Sequence, residues 1–220
     1  MYNLIGKLYI PSQGEIESMY SHIKPALDRF FAAVLLIVLS PLMLLAALSV
    51  RLSSKGPVFF VQERAGLRRR SFNIYKFRTM YTSAPKDLPT HLLQNAGSFI
   101  TPVGRFLRAS SLDELPQLIN ILKGEMSFVG PRPALQSQTD LLSARDLCGA
   151  NDVLPGLTGW AQINGRDELP IPVKVAYDAE YVRRMSFAFD LKCIVGTFTA
   201  VLTHRGVQEG ASEEKERRQA

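Results

Sequence analysis

Between Arg29 and Arg51 the chain runs for 21 residues without a charge, FFAAVLLIVLSPLMLLAALSV. As a straight helix this run would reach about 31 Å, roughly one hydrocarbon thickness. It starts at residue 30, exceeds the length of a signal-peptide core and is followed by no small-x-small cleavage site, so it is expected to be retained. Pro41 sits at its centre. Having no N–H and crowding the carbonyl of Ile37, it predicts a kink there, and the Ser40 hydroxyl can satisfy the freed carbonyl. By itself the run fits a kinked spanning helix, a re-entrant helix or a buried soluble helix. The flanking charges favour re-entry: Lys24 and Arg29 precede the run and Arg51 and Lys55 follow it, which draws both ends to the cytoplasmic side.

The rest of the chain is globular in composition. At 220 residues, with 46% hydrophobic and 21% charged residues, it suits one ordinary domain and excludes a disordered chain or a polytopic bundle. Cys148 and Cys193 lie 45 residues apart, and His22, His91 and His204 are scattered, so neither a disulfide framework nor a zinc site is expected. The net charge of +6 has a local origin: residues 51 to 80 carry eight Lys or Arg against one acid, Glu63. A basic patch beside an apolar run reads first as attraction to anionic headgroups or phosphate. No nucleic-acid motif accompanies it, and no nucleic-acid partner is expected.

The pattern predicts an α+β fold, mostly helical. Val58 to Val61 and Phe72 to Arg78 read as two strands of a β-hairpin turning at Ala65-Gly66, with Phe72, Ile74, Lys76 and Arg78 on one face. Residues 81 to 100 are rich in turn formers and read as a loop with one helical turn. Leu115, Leu118, Ile119 and Leu122, closed by Gly124, predict a short helix beginning near Pro116. Val173 to Arg184 and Phe187 to His204 are helical in period, the second suited to a core or to the headgroup boundary. The organisation expected is an N-terminal segment over 1–23, a membrane helix region over 24–55, a catalytic domain over 56–204 and a polar tail over 205–220.

The chemistry concentrates in Arg105-Phe-Leu-Arg-Ala-Ser-Ser-Leu-Asp-Glu-Leu-Pro116. Ser111 with Glu114 can be a capping box. Pro116 opposes that, because it is tolerated as the first helical residue and costly at the fifth, so the helix should begin after the two acids. Asp113 and Glu114 then sit together at the positive end of a helix, and they suit a Mg²⁺ site or a carboxylate nucleophile. Lys76, Arg108, Arg132 between two prolines, and Arg166 after a glycine are cations on stiff elements. Each alone reads as solvated surface, but together with two acids they suit a diphosphate and a divalent metal.

These residues resemble a known family. Lys24-Pro-Ala-Leu-Asp-Arg29, Ser40-Pro41, Gly56-Pro57-Val-Phe-Phe, Lys76-Phe-Arg-Thr-Met80, Ser111-Leu-Asp-Glu-Leu-Pro-Gln117, Phe128-Val-Gly-Pro-Arg-Pro133 and Gly156-Leu-Thr-Gly-Trp160 together look like the bacterial sugar transferases, the monotopic phosphoglycosyl transferases. The resemblance runs from about Lys24 to Gly196. It implies transfer of a sugar-1-phosphate from a UDP-sugar to undecaprenyl phosphate, with release of UMP and a requirement for Mg²⁺, at the cytoplasmic face of the bacterial inner membrane. This would be the first membrane step of capsule, exopolysaccharide, O-antigen or glycoprotein glycan assembly. It implies Asp113 as the nucleophile of a phosphosugar-aspartyl intermediate, with Glu114 supporting the metal or the proton balance. It places Lys76, Arg108, Arg132, Arg166 and Asp190 at polar active-site or scaffold positions. It makes Ser40-Pro41 the break of a re-entrant hairpin, with amphipathic interfacial helices around a compact catalytic domain. The short N-terminus fits a small, catalytic-domain-only form, and a homo-oligomer is left open.

Overall fold

The computed structural model describes residues 19–85, 96–165 and 169–202. Two helices lead the described chain, α1 (Met19–Val38) and α2 (Ser40–Ser53), and their axes bend by 65° at the break between them. The Ser40 hydroxyl donates to the carbonyl of Ile37 at 2.8 Å, the acceptor that Pro41 cannot use. No single described helix is long and apolar enough to cross a membrane, whereas this bent pair matches a broken span or re-entrant loop in length and composition. Its outer surface is apolar, with Phe30, Ile37, Val38, Leu44, Leu45 and Leu52 all more than 60% exposed.

A hairpin follows, β1 (Phe59–Ala65) against β2 (Ser71–Phe77), antiparallel, with Phe60 opposite Lys76. The turn between them holds Arg68 and Arg69 at positive φ. Arg78, read by the period-2 rule as sharing a face with Lys76, lines the same cavity as that lysine. Just past the strand end, its guanidinium donates to the carbonyls of Lys55 and Ser54 at 2.6 and 2.8 Å, satisfying orphan acceptors at the end of α2. Gly56, at φ +126°, is required for this: a Cβ there would stand 2.1 Å from an Arg78 nitrogen.

After one turn of helix, α3 (Ala96–Phe99), come α4 (Pro102–Ala109), a 3₁₀ turn (Leu112–Glu114) and α5 (Gln117–Lys123). Thr101 caps α4 by accepting from the Gly104 N–H. A second, parallel pair joins β3 (Ser127–Val129) to β4 (Gly156–Thr158), with α6 (Thr139–Asp146) between them in sequence. The described chain closes with α7 (Trp160–Ile163), α8 (Ile171–Arg184) and α9 (Phe187–Leu202). The α+β, mostly helical expectation holds. Residues 1–18 and 203–220, with most of the predicted terminal segments, lie outside the described residues.

Several apolar clusters hold these pieces together. Ala32 of α1 packs with Ile74, Leu118, Ile121 and Met126, so the first helix is seated on the hairpin and α5. Ala46 and Val50 of α2 pack with Phe77 and Leu107, which fixes α2 against β2 and α4. Burial of the Ile, Leu, Met, Val and Phe side chains among these is worth about 1.5 to 3 kcal/mol each. Asn120, fully buried, stitches α5 to the edge of β2, accepting from the Tyr75 N–H at 3.1 Å and donating to the Asn73 carbonyl at 2.7 Å.

Candidate active site

The expected helix start after the two acids is observed: the carboxylates occupy the 3₁₀ turn, and α5 follows with Pro116 as its N-cap. Ser111, immediately before the turn, lies in the left-handed region at φ 57°, with no side-chain cap bond, so the capping-box reading fails. A non-glycine residue there stores of the order of 1–2 kcal/mol of strain.

Glu114 is the centre of the cluster. Lys76 Nζ on β2 donates to Glu114 Oε1 at 2.7 Å, and Arg132 Nη2 reaches the same oxygen at 3.2 Å. Burial pushes the Glu114 carboxyl up, but the charges and hydrogen bonds of Lys76 and Arg132 outweigh it and hold the group well below the usual carboxylate range. Asp113 is moved the other way. Burial and the neighbouring Glu114 charge raise its carboxyl to about 6, against the pull of Lys76, Arg108 and Arg132. Two adjacent acids with pKa values driven apart are the arrangement expected where two carboxyls have different roles.

Both acids and Lys76, Arg108 and Arg132 line one cavity of about 1060 Å³. Four sequence-predicted site residues are therefore brought together around Asp113. Arg166 lies outside the described residues. Asp190 stands at the edge of the same cavity, but its carboxylate is spent on structure: it accepts from Tyr20 at 2.7 Å and Tyr181 at 2.9 Å and pairs with Lys24. Lys24 is therefore a buried partner of Asp190 and Asp28, and the flank of α1 keeps only Arg29 of its two expected cations for a headgroup surface.

Sequence reasoning missed Arg145. Buried between α6 and α8, it pairs with Asp178 at 2.7 Å and donates from Nη1 to the carbonyl of Arg132 at 2.9 Å. Nothing in the local pattern announces it, because its partners lie 13 and 33 residues away. Asp28 was quoted only within a motif; it accepts from the buried Ser127 hydroxyl at 2.6 Å and so ties α1 to β3.

Comparison with known proteins places the chain in a family. A family model of bacterial sugar transferases matches residues 19–204. The undecaprenyl-phosphate glucose phosphotransferase of Komagataeibacter xylinus is 43% identical over 181 residues, covering 78% of this chain and 34% of that protein. A UDP-glucose:undecaprenyl-phosphate glucose-1-phosphate transferase of Caulobacter vibrioides is 42% identical over 82% of this chain and 70% of its own length. The uncharacterized sugar transferase EpsL of Bacillus subtilis is 41% identical over 85% of this chain and 91% of its own length. The chain thus spans about a third of the first of these relatives and nearly all of the last.

Proposed function

Because this chain belongs to the bacterial sugar transferase family, we propose that it moves a sugar-1-phosphate from a UDP-sugar to undecaprenyl phosphate with release of UMP, the first membrane step of a surface-glycan pathway. The observation that carries the reading is the Asp113–Glu114 pair in the wall of one large cavity, with Glu114 held by Lys76 and Arg132. Such a cluster suits phosphoryl transfer, in which positioning and charge stabilisation supply most of the catalysis.

In this reading Asp113 is the nucleophile. With a carboxyl near 6 it is mostly ionised at neutral pH, yet more basic than an ordinary aspartate. Its Oδ bonds to the phosphorus that bears the sugar, and the bond from that phosphorus to the bridging oxygen breaks, so UMP leaves with the electron pair. An oxygen of the lipid phosphate then attacks the same phosphorus, and the Asp113 carboxylate departs, giving a lipid diphosphate sugar. Lys76, Arg108 and Arg132 offset the charge on the phosphoryl oxygens in both steps. Glu114, kept ionised by two of those cations, fixes their positions.

Magnesium fits this donor set. No group of three or more His, Cys, Asp or Glu gathers among the described residues, so Asp113 and Glu114 would hold the ion together with oxygens of the donor diphosphate. When bound it would neutralise charge on the reacting phosphate. The exposed apolar surface of α1 and α2 supports a seat in the cytoplasmic leaflet of the bacterial inner membrane, with the bent pair dipping in and returning.

The test is isotope exchange. Labelled UMP should pass into UDP-sugar when undecaprenyl phosphate is absent, an acid-quenched sample should carry a phosphosugar on the Asp113 peptide, and Asp113→Asn should abolish both. Transfer without exchange or adduct would mean direct attack by the lipid phosphate and would leave Asp113 as a metal ligand.

A further inference from the structure

The cavity is not uniformly polar. At one side of the Asp113 cluster its wall is built from two helix faces: Leu27, Phe31 and Val34 on α1, and Leu191, Ile194 and Phe198 on α9. Both sets recur at i, i+3 or i+4 and i+7, so each is one continuous stripe. In a soluble core two such stripes would close on each other. Here they line open space, floored by Phe128 and Leu157, and Phe31, Leu191 and Phe198 are 50 to 68% exposed.

We infer that this slot between α1 and α9 takes the head-proximal isoprene units of the acceptor, an amphiphile whose phosphate sits at Lys76, Arg108 and Arg132. The assignment rests on the transferase reading above and adds to it the route of the lipid tail. Charge complementarity selects the occupant. The same cavity is lined by these apolar residues and by the three cations, so an anionic head and an apolar tail are accommodated by one cavity without burying an unpaired charge. The stripe on α9 from Leu191 to Phe198 extends about 10 Å along the helix, enough to guide the start of a polyprenyl chain but not to enclose it.

A second apolar groove is the natural rival. It lies between α2 and α4, about 440 Å³, lined by Leu42, Leu45, Val103, Phe106 and Leu112 among others. No charged side chain lines it. An acyl tail could rest there, but a phosphate on the same molecule would have no partner, so the rival groove does not suit the acceptor.

The experiment uses the full chain in nanodiscs. Val34→Trp and Leu191→Trp fill the slot while keeping its surface apolar, and thermal melting checks that each is folded. The readout is the ratio of transfer to undecaprenyl phosphate over UMP exchange measured without any acceptor, a half-reaction that places no lipid in the slot. The ratio should fall at least tenfold in both variants. Independently, an undecaprenyl phosphate carrying a diazirine in its second isoprene unit should cross-link to α1 and α9 peptides. An unchanged ratio in both variants, or cross-links confined to α2 and α4, overturns the assignment. A wild-type protein lacking both UMP exchange and transfer would remove the transferase reading instead, and the cross-link, which needs no turnover, would still decide the slot.

Discussion

Asp113→Asn should leave the protein inactive and make its metal-free form more stable. Burial lifts this carboxyl from 3.8 to about 6. The native state therefore binds the proton more tightly than the unfolded chain does, and stability falls as pH rises from the unfolded value towards 6. Above 6 the full cost is carried. The displacement from 3.8 to about 6 corresponds to about 3 kcal/mol at 1.36 kcal/mol per tenfold, an upper figure because the cavity admits water. Asparagine keeps the shape and drops the charge. Glu114, held low in the fold, titrates below pH 5 and is common to both proteins, so it cancels between pH 5 and pH 8. The assay is thermal melting in detergent with a chelator. At 2–4 °C per kcal/mol for a chain of this size, the variant should melt about 4–10 °C above wild type at pH 8. The gap should shrink by about half at pH 5, where wild-type Asp113 regains its proton. An equal or lower melting point for the variant at pH 8, or a gap indifferent to pH, would refute the claim that a buried, costly charge is kept at this position for chemistry.

Single cysteines at the exposed His22 and Arg69, in a background lacking Cys148 and Cys193, should both resist an impermeant thiol reagent in intact cells and react after permeabilisation. Labelling of His22 alone in intact cells would restore a spanning helix. Lys76→Ala and Arg132→Ala should each lower kcat/KM about ten- to a hundredfold, the worth of one charge-assisted hydrogen bond of roughly 1.5 to 3 kcal/mol. Unchanged kinetics in both would put the phosphate site elsewhere. Arg145→Leu should lower stability by about 3–5 kcal/mol by stranding the buried Asp178, and a double replacement with Asp178→Leu should recover much of it in a denaturant titration.

Local rules made the helical elements and the hairpin legible. Pro41 marked the bend, and Pro116 marked the start of α5, because proline acts through its own missing donor and its own ring. Strand β1 runs four residues past its expected end and β2 begins one residue early, each falling one residue short at its other end, as Gln62, Glu63 and Arg64 are polar residues that the ladder itself holds in β1. The parallel pairing of β3 with β4 was not legible. Each strand is three residues long, and what joins them is the stretch from Pro131 to Pro155 folding back, a property of the whole domain. Helix α4 was read only as a motif string, although Val103, Phe106 and Leu107 fall at i, i+3 and i+4 with Arg105 and Arg108 on the other face, because two turns are too short for the period to stand out. Asp113, Glu114, Lys76 and Arg132 were identified, but the opposite fates of the two acids were not, because these depend on which cations reach which carboxylate.

The placement of Arg132 shows how such a site is made stiff without a regular element beneath it. Four successive carbonyls of its loop are each held from a different direction. Pro131 accepts from the Gly156 N–H at 2.9 Å, Arg132 from the Arg145 guanidinium at 2.9 Å, Pro133 from the Arg64 guanidinium at 3.2 Å and Ala134 from the Ala65 N–H at 2.9 Å. The two prolines carry no N–H, so the loop brings few donors that need burying. On the N-terminal side of the loop, Tyr181 donates to the Val129 carbonyl or to Asp190, and Ser127 donates to Asp28 of α1. The hairpin that carries Lys76, the helix that leads into the apolar run and the buried Arg145–Asp178 pair thus converge on one stretch of eight residues, Ser127 to Ala134. A guanidinium anchored in this way needs little further ordering when it meets a phosphate. It follows that Arg145 and Asp28, neither of which has been given a role in bond making, set the geometry of the loop that carries Arg132.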